Sequence, residues 1–129
     1  WSDMSTVKAA NLQNTGSGAP AFKNSSGTEI GQLAKAWVNF NGTGTVAIRD
    51  SFNVSSIADN GTGEYQVNFT NAMEDVNYAV AGFARVSLAA GQFVGVSDTG
   101  FATSSVKVGS MNNSDSFADA LYVTAVIFR

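Results

Sequence analysis

From Lys35 onward, apolar and polar residues alternate with a period of two, the signature of strands with one buried and one wet face. The clearest case is Glu64 to Thr70, where Tyr65, Val67 and Phe69 are apolar and Gln66, Asn68 and Thr70 are polar. Val38 and Phe40 alternate with Trp37, Asn39 and Asn41. Thr45 to Ile57 places Val46, Ile48, Phe52 and Val54 on one phase, but Asp50 shares it, which predicts a bulge or corner at Arg49-Asp50. Val76 to Val86 and Phe101 to Gly109 also read as strands, with a weaker one at Gln92 to Ser97. Ala120 to Phe128 is apolar on both phases. Such a strand is covered on both faces, either as a central strand or by another subunit.

Between these segments lie turn residues. Asn41-Gly42-Thr43-Gly44 and Asp59-Asn60-Gly61-Thr62-Gly63 carry the Asn-Gly signal of tight hairpins, because both residue types tolerate positive φ. Asp98-Thr99-Gly100 and Met111 to Ser116 read as turns too. About seven strands, separated by turns at roughly ten-residue intervals, predict an all-β fold: an antiparallel β-sandwich or barrel over residues 35–129. Residues 1–34 differ. They hold few large apolar groups and many breakers, and read as an extended leader with a short helix at Asp3 to Leu12. Such a segment serves in oligomerisation or attachment, since it cannot bury enough surface to fold alone. Met4 reads either as a native start or as an internal residue of a longer polypeptide, and no secretory signal pattern is present.

Composition narrows the chemistry. The chain contains no Cys and no His. That removes thiolate nucleophiles, zinc-Cys sites and any Ser-His-Asp arrangement within one chain. Only 13% of its 129 residues are charged, with a net charge of −3. Nucleic acid is therefore not expected as a partner, because phosphate binding needs a concentrated basic surface. No apolar run reaches the ~18 residues of a membrane helix, so membrane insertion is not expected either. Ser, Thr, Asn and Gly together supply 50 residues. Asn-x-Ser/Thr sequons at Asn24, Asn41, Asn53, Asn60, Asn68 and Asn112 follow from that composition.

Two groups of carboxylates could carry acid–base work: Glu74-Asp75 in one turn, and Asp115 with Asp119 around the last loop. As turn residues they have an ordinary role as caps. The G-x-G pairs at Gly42/Gly44 and Gly61/Gly63 open no helix and make no phosphate loop. No calcium loop of the D-x-[DN]-x-[DN]-G type occurs, and no metal, cofactor or catalytic residue is expected. Trp37, Tyr65, Tyr78, Phe83, Phe93 and Phe101 could stack on sugar rings, although core packing accounts for most strand aromatics. Of these, Phe93 and Phe101 lie beside loops and are the better candidates for exposure.

Several strings bear a resemblance to a known group. Ala36-Trp37-Val38-Asn39-Phe40-Asn41-Gly42-Thr43-Gly44-Thr45-Val46-Ala47-Ile48-Arg49 is followed by Ser51-Phe52-Asn53-Val54-Ser55-Ser56-Ile57, by Asp59-Asn60-Gly61-Thr62-Gly63 and by Tyr65-Gln66-Val67-Asn68-Phe69. Ahead of them stand Gly18-Ala19-Pro20-Ala21-Phe22 and Ser26-Gly27-Thr28-Glu29-Ile30-Gly31. Over about Met4 to Tyr78, the chain resembles phage tail-fibre-like virion proteins of marine and aquatic bacteriophages. The resemblance implies a virion appendage on the particle surface, homotrimeric, bound to other virion proteins and devoted to host attachment. It brings no catalytic residues.

On this reading the partner is a host cell-surface glycan or protein. A simple meander would bring the 41–44, 71–75 and 98–101 loops to one end, making Asn41, Thr43, Glu74, Asp75, Asp98 and Thr99 the receptor-binding tip, with Phe93 and Phe101 beside it. The 58–63, 88–92 and 110–117 loops would share the other end, where the leader enters. Tyr122, Val126 and Phe128 are the candidate subunit interface. A carbohydrate-binding module or cell-surface adhesin would share the sandwich, polar loops and aromatics. A depolymerase with carboxylates at a subunit interface is the enzymatic alternative.

Overall fold

The structure is a computed structural model; it describes residues 8–13, 15, 20–87 and 90–129, with the backbone alone at 86, 87, 90–92 and 98. The chain divides into two compact units, Trp1–Leu33 and Ala34–Arg129. In the first, β1 (Phe22–Lys23) and β2 (Glu29–Gly31) form a small antiparallel hairpin. Its turn is held by Asn24, whose Oδ1 accepts the Ser26 and Thr28 amides at 3.0 Å each. Residues 8–12 are not helical, contrary to the expected helix, whose first turn at 3–7 lies outside the described residues. Gln13, Asn14 and Thr15 add no apolar side to that segment, so no packing surface supports a helix there.

The second unit contains β3 (Ala34–Asn41), β4 (Ala47–Phe52), β5 (Val54–Gly61), β6 (Glu64–Phe69), β7 (Ala79–Ser87), β8 (Ala90–Phe101), β9 (Ser105–Met111) and β10 (Tyr122–Phe128). These make one eight-stranded sheet in the order β4-β3-β10-β7-β8-β9-β6-β5. Every adjacent pair is antiparallel. The two end strands, β4 and β5, are joined by the single residue Asn53, so the sheet curls into a nearly closed barrel. At this corner Asn53 has φ 55°. Its side chain donates to the carbonyls of Lys35 and Asn71 at 3.0 and 3.1 Å and accepts the Asn71 amide at 2.7 Å.

The meander does not hold. β10 returns to lie between β3 and β7, and β6 lies beside β9, which is a Greek-key arrangement. The two-faced pattern of β10 explains its place. Val123, Ala125 and Ile127 are fully buried inside, and both its edges are paired. The core is built from alternating inward residues: Val38, Phe40, Tyr65, Val67, Val106, Val108, Val123 and Ile127. The register slips between β3 and β4 where Asn39 faces Asp50 and Phe40 faces Ile48, leaving Arg49 as the bulged residue at the place the sequence marks. The bulge inverts the phase, so Ile48 packs against the core while Phe52 points outward at 55% exposure.

β8 is the longest strand, at 12 residues, although its sequence reads as the weakest. Gly91, Gly95 and Gly100 dilute its pattern. Asp98-Thr99-Gly100 is not a turn but an irregular stretch within β8, where the register with β9 slips between Val96 and Phe101. The turn comes later, closed by the Ala102 amide donating to the Ser105 carbonyl at 3.0 Å.

Candidate binding surface

Strand direction sorts the loops into two ends. β3, β5, β7 and β9 run from the end where Ala34 enters; β4, β6, β8 and β10 run back to it. The far end therefore carries the 42–46, 62–63 and 112–121 connections; residues 88–89 lie outside the described residues. The entry end carries Asn53, residues 70–78 and 102–104, and Arg129. Eight residues of β3 separate the two by ~25 Å.

The six-residue tip does not assemble. Asn41 and Thr43 stand at the far end. Glu74, Asp75, Thr99 and Phe101 are at or near the entry end. Asp98 falls near the entry end as well, and its side chain lies outside the described residues. The corner at Asn53 is the cause: it splits the expected strand 45–57 into β4 and β5, adds one reversal of direction and moves every later loop to the opposite end. The Greek-key return of β10 sets the 41–44 loop beside the last connection, with the Gly42 amide donating to the Ala120 carbonyl at 2.9 Å. The 58–63 and 110–117 loops share an end as expected, but it is the end away from Ala34.

At the far end a polar knot ties three loops together. The Tyr65 hydroxyl, at the base of the knot, donates to the Gly42 carbonyl at 2.9 Å and lies 3.3 Å from Asp119 Oδ1. That same carboxylate oxygen accepts the Gly63 amide at 2.7 Å. The Gly63 carbonyl accepts the Ser110 amide at 2.7 Å, and the Ser110 hydroxyl donates to the Ala118 carbonyl. Burial first, and then the charge of Asp119, push the Tyr65 hydroxyl up to about 12. Asp119 Oδ1 thus ties the 62–63 and 112–121 connections to Tyr65. Asn41 is similarly engaged: its amide donates to the Thr43 carbonyl at 2.7 Å and its Oδ1 accepts from the Thr43 hydroxyl at 2.8 Å.

At the entry end, Arg129 grips Asp75 with two hydrogen bonds, Nε to Oδ1 at 2.8 Å and Nη2 to Oδ2 at 2.5 Å. Those bonds, with the Asn77 amide donating to Oδ1 at 2.7 Å, hold the Asp75 carboxyl down at about 2. Any stability this pair contributes is present above pH ~4 and lost as pH falls toward 2. Asp75 is a partnered anion, which leaves Glu74 alone as the exposed carboxylate of that turn.

The aromatic candidates separate by burial. Tyr65 and Tyr78 are core residues at 1% and 6% exposure. Phe101 is partly covered, tilted against Tyr78 with ring centroids 5.1 Å apart. Phe83 and Phe93 are exposed and stand directly opposite each other on β7 and β8. They belong to a feature that the alternation did not reveal, because it lies across strands. Over β4, β3, β10, β7 and β8, the outer wall of the barrel carries an apolar patch, with Lys35, Asn39, Asp50 and Arg85 on the same outward phase. Phe52 faces Trp37, Trp37 faces Val126, and Val126 faces Ala81. Between Trp37 and Phe83 runs a groove of about 480 Å³ floored by Thr124 and Val126.

The opposite half of the wall is polar. There Gln66 donates to Asn68 at 2.7 Å and Asn68 to the Ser56 hydroxyl at 3.1 Å, with Lys107 in register with Gln66. Of the three interface candidates, Val126 and Phe128 lie on the apolar wall. Tyr122 sits at its far-end margin under the Arg49 guanidinium, 4.4 Å above the ring. That guanidinium also donates to the Leu121 carbonyl at 2.6 Å. Trp37 is already marked by the alternation as an outward aromatic, but Phe52 could have been found from sequence only by knowing the bulge in β4 and its pairing with β3.

Among the described residues, no three His, Cys, Asp or Glu converge to hold a metal ion, and no helix is long and apolar enough to cross a membrane. No protein-family model, curated protein or solved structure matches this chain.

Proposed function

We propose that the chain is a structural subunit of a bacteriophage appendage, assembled as a homotrimer on the particle surface and used in attachment to host cells. The resemblance over residues 4–78 supplies the class. The observation that supports it is the division of the barrel wall into an apolar and a polar half, which suits a subunit that packs against neighbours on one side and faces solvent on the other. The partner is a glycan or protein of the host surface, and other virion proteins hold the entry end.

The topology reassigns the tip. In this proposal the segment before Ala34 joins the particle, so the contact surface is the far end. Asn113, Ser114 and Ser116 are exposed there, in a loop pinned by Asn112 Oδ1, which accepts the Ser114 and Ser116 amides at 2.9 and 3.2 Å. Glu74 and Thr99 then face away from the host.

Adsorption of fluorescently labelled protein to a panel of cultured aquatic bacteria tests this. On the strain that binds best, the double variant Asn113→Arg, Ser114→Arg is expected to weaken adsorption about tenfold or more, a loss of ~1.4 kcal/mol. Glu74→Arg is expected to leave it unchanged. Loss with Glu74→Arg alone, or binding to none of the panel, would count against the proposal.

A further inference from the structure

We infer that the apolar wall over β4, β3, β10, β7 and β8 is the surface through which copies of this chain contact one another. The inference deepens the assembly reading above and rests on it for the number of copies. Area, polar satisfaction and the shape of the wall each support it.

Phe52, Phe83, Phe93 and Phe128 are 55%, 55%, 48% and 40% exposed. At ~200 Å² per ring, they present roughly 400 Å² of apolar surface. That is about half of the ~800 Å² that each partner of a stable complex buries. Half-buried Trp37 and Val126 lie among them and extend the patch. A patch of this size matches the largest on a typical monomer, about 300–600 Å², and such patches are often functional.

Two of the polar groups within the patch are already bonded. The Phe83 amide donates to Thr124 Oγ1 at 3.2 Å, and that hydroxyl is 3.4 Å from the Phe83 carbonyl. Asn39 Oδ1 accepts from Arg49 at 3.3 Å. A second apolar wall can cover the Thr124 hydroxyl and the Asn39 Oδ1 without stranding them, which would otherwise cost about 1–3 kcal/mol each.

The groove between Trp37 and Phe83 needs a projecting apolar side chain to fill it. The same wall carries such side chains on its two flanks, Phe52 on β4 and Phe93 on β8. A copy of the chain thus brings both the groove and the ridge. Charged side chains stand beside the patch: Arg49 over Tyr122, Asp50 opposite Asn39, and Lys35 and Arg85 two residues from Trp37 and Phe83.

The test is solution mass by sedimentation equilibrium, on the full chain and on outward-facing variants. Val126→Lys places a charge in the middle of the wall, where Val126 faces Trp37 and Ala81. It is expected to reduce an assembly of the full chain to a 13.4 kDa monomer. Far-ultraviolet circular dichroism checks that the barrel persists. Phe52→Lys and Phe93→Lys, one on each flank, repeat the test should Val126→Lys fail to fold. Asn68→Lys, on the polar half, is expected to leave the assembly intact.

An assembly that survives all three wall substitutions overturns the inference while leaving the assembly reading standing. A full chain that is itself monomeric overturns both. Dissociation by Asn68→Lys, with the wall variants still assembled, moves the interface to the opposite side and overturns the inference as well.

Discussion

Gly63→Ala is expected to lower the melting temperature of the barrel by about 12 °C or more, corresponding to at least ~3 kcal/mol for a domain of this size. Two independent effects combine at this position. Gly63 has φ +68°, a left-handed conformation that costs a residue with a Cβ about 1 kcal/mol. In addition, an added Cβ would fall 2.6 Å from both the Ala118 nitrogen and the Ser110 carbonyl oxygen. These are backbone atoms, fixed by the knot that joins Gly63, Ser110, Ala118 and Asp119, so neither can move aside cheaply.

Gly44 separates the two effects. It has φ +61° and nothing within 4 Å of the place a Cβ would take, so only the conformational cost applies. Gly44→Ala is expected to cost about 1 kcal/mol, and Gly44→Asn close to nothing, because Asn tolerates this region. Gly63→Asn is expected to be as damaging as Gly63→Ala. Thermal melts of the four variants decide the matter. Equal losses at 44 and 63 would show that the close packing at Gly63 is not real.

The second large effect is at Tyr65. Its ring is 1% exposed and packs edge-on against Phe40, with centroids 5.1 Å apart and planes at 76°. Tyr65→Ala removes this packing together with the hydroxyl bond to Gly42, and is expected to cost about 3–5 kcal/mol. Tyr65→Phe keeps the ring and loses only the hydroxyl, an expected cost of about 1–2 kcal/mol.

Alkaline pH adds a second signature. The folded hydroxyl ionises near 12, above the unfolded value near 10. Below pH 10 both states are protonated and the contribution is complete. Between pH 10 and 12 the unfolded chain releases its proton first, so stability falls as pH rises. Tyr65→Phe lacks this proton. Its deficit against the native protein is therefore expected to shrink by about 2 kcal/mol across that interval in urea unfolding. Tyr78, raised in the same direction by burial, keeps some alkaline slope in both proteins. A constant deficit from pH 9 to 12 would contradict the buried position of the hydroxyl.

Much of the fold is legible in the sequence because strand alternation is a local property. Tyr65, Val67 and Phe69 declare their inward face within six residues, and Asp50 betrays the bulge at Arg49 by breaking phase. The order of strands is not local. Nothing in Tyr122–Phe128 states that it inserts between β3 and β7. The expected tip fails because residues 45–57 alternate like one strand, while the corner at Asn53 makes them two and reverses the chain once more. β8 is hard to read because its glycines and the stretch before Phe101 mimic a turn.

The candidate surface shows the same division. Val126 and Phe128 can be singled out, since a strand apolar on both phases advertises its second face. Phe52 cannot, because its outward direction depends on the bulge one turn of pleat earlier and its neighbour Trp37 comes from another strand. Likewise, Asp75 and Asp119 read as open carboxylates until Arg129 and Gly63, each more than 50 positions away in the chain, are brought against them.

If one wall of this barrel is covered by copies of itself, the mass of the unmodified chain in solution must show it. Sedimentation equilibrium at micromolar concentration is the direct measurement. A single species of three times 13.4 kDa is expected; a single species of 13.4 kDa that stays monomeric as concentration rises would contradict a self-covered wall.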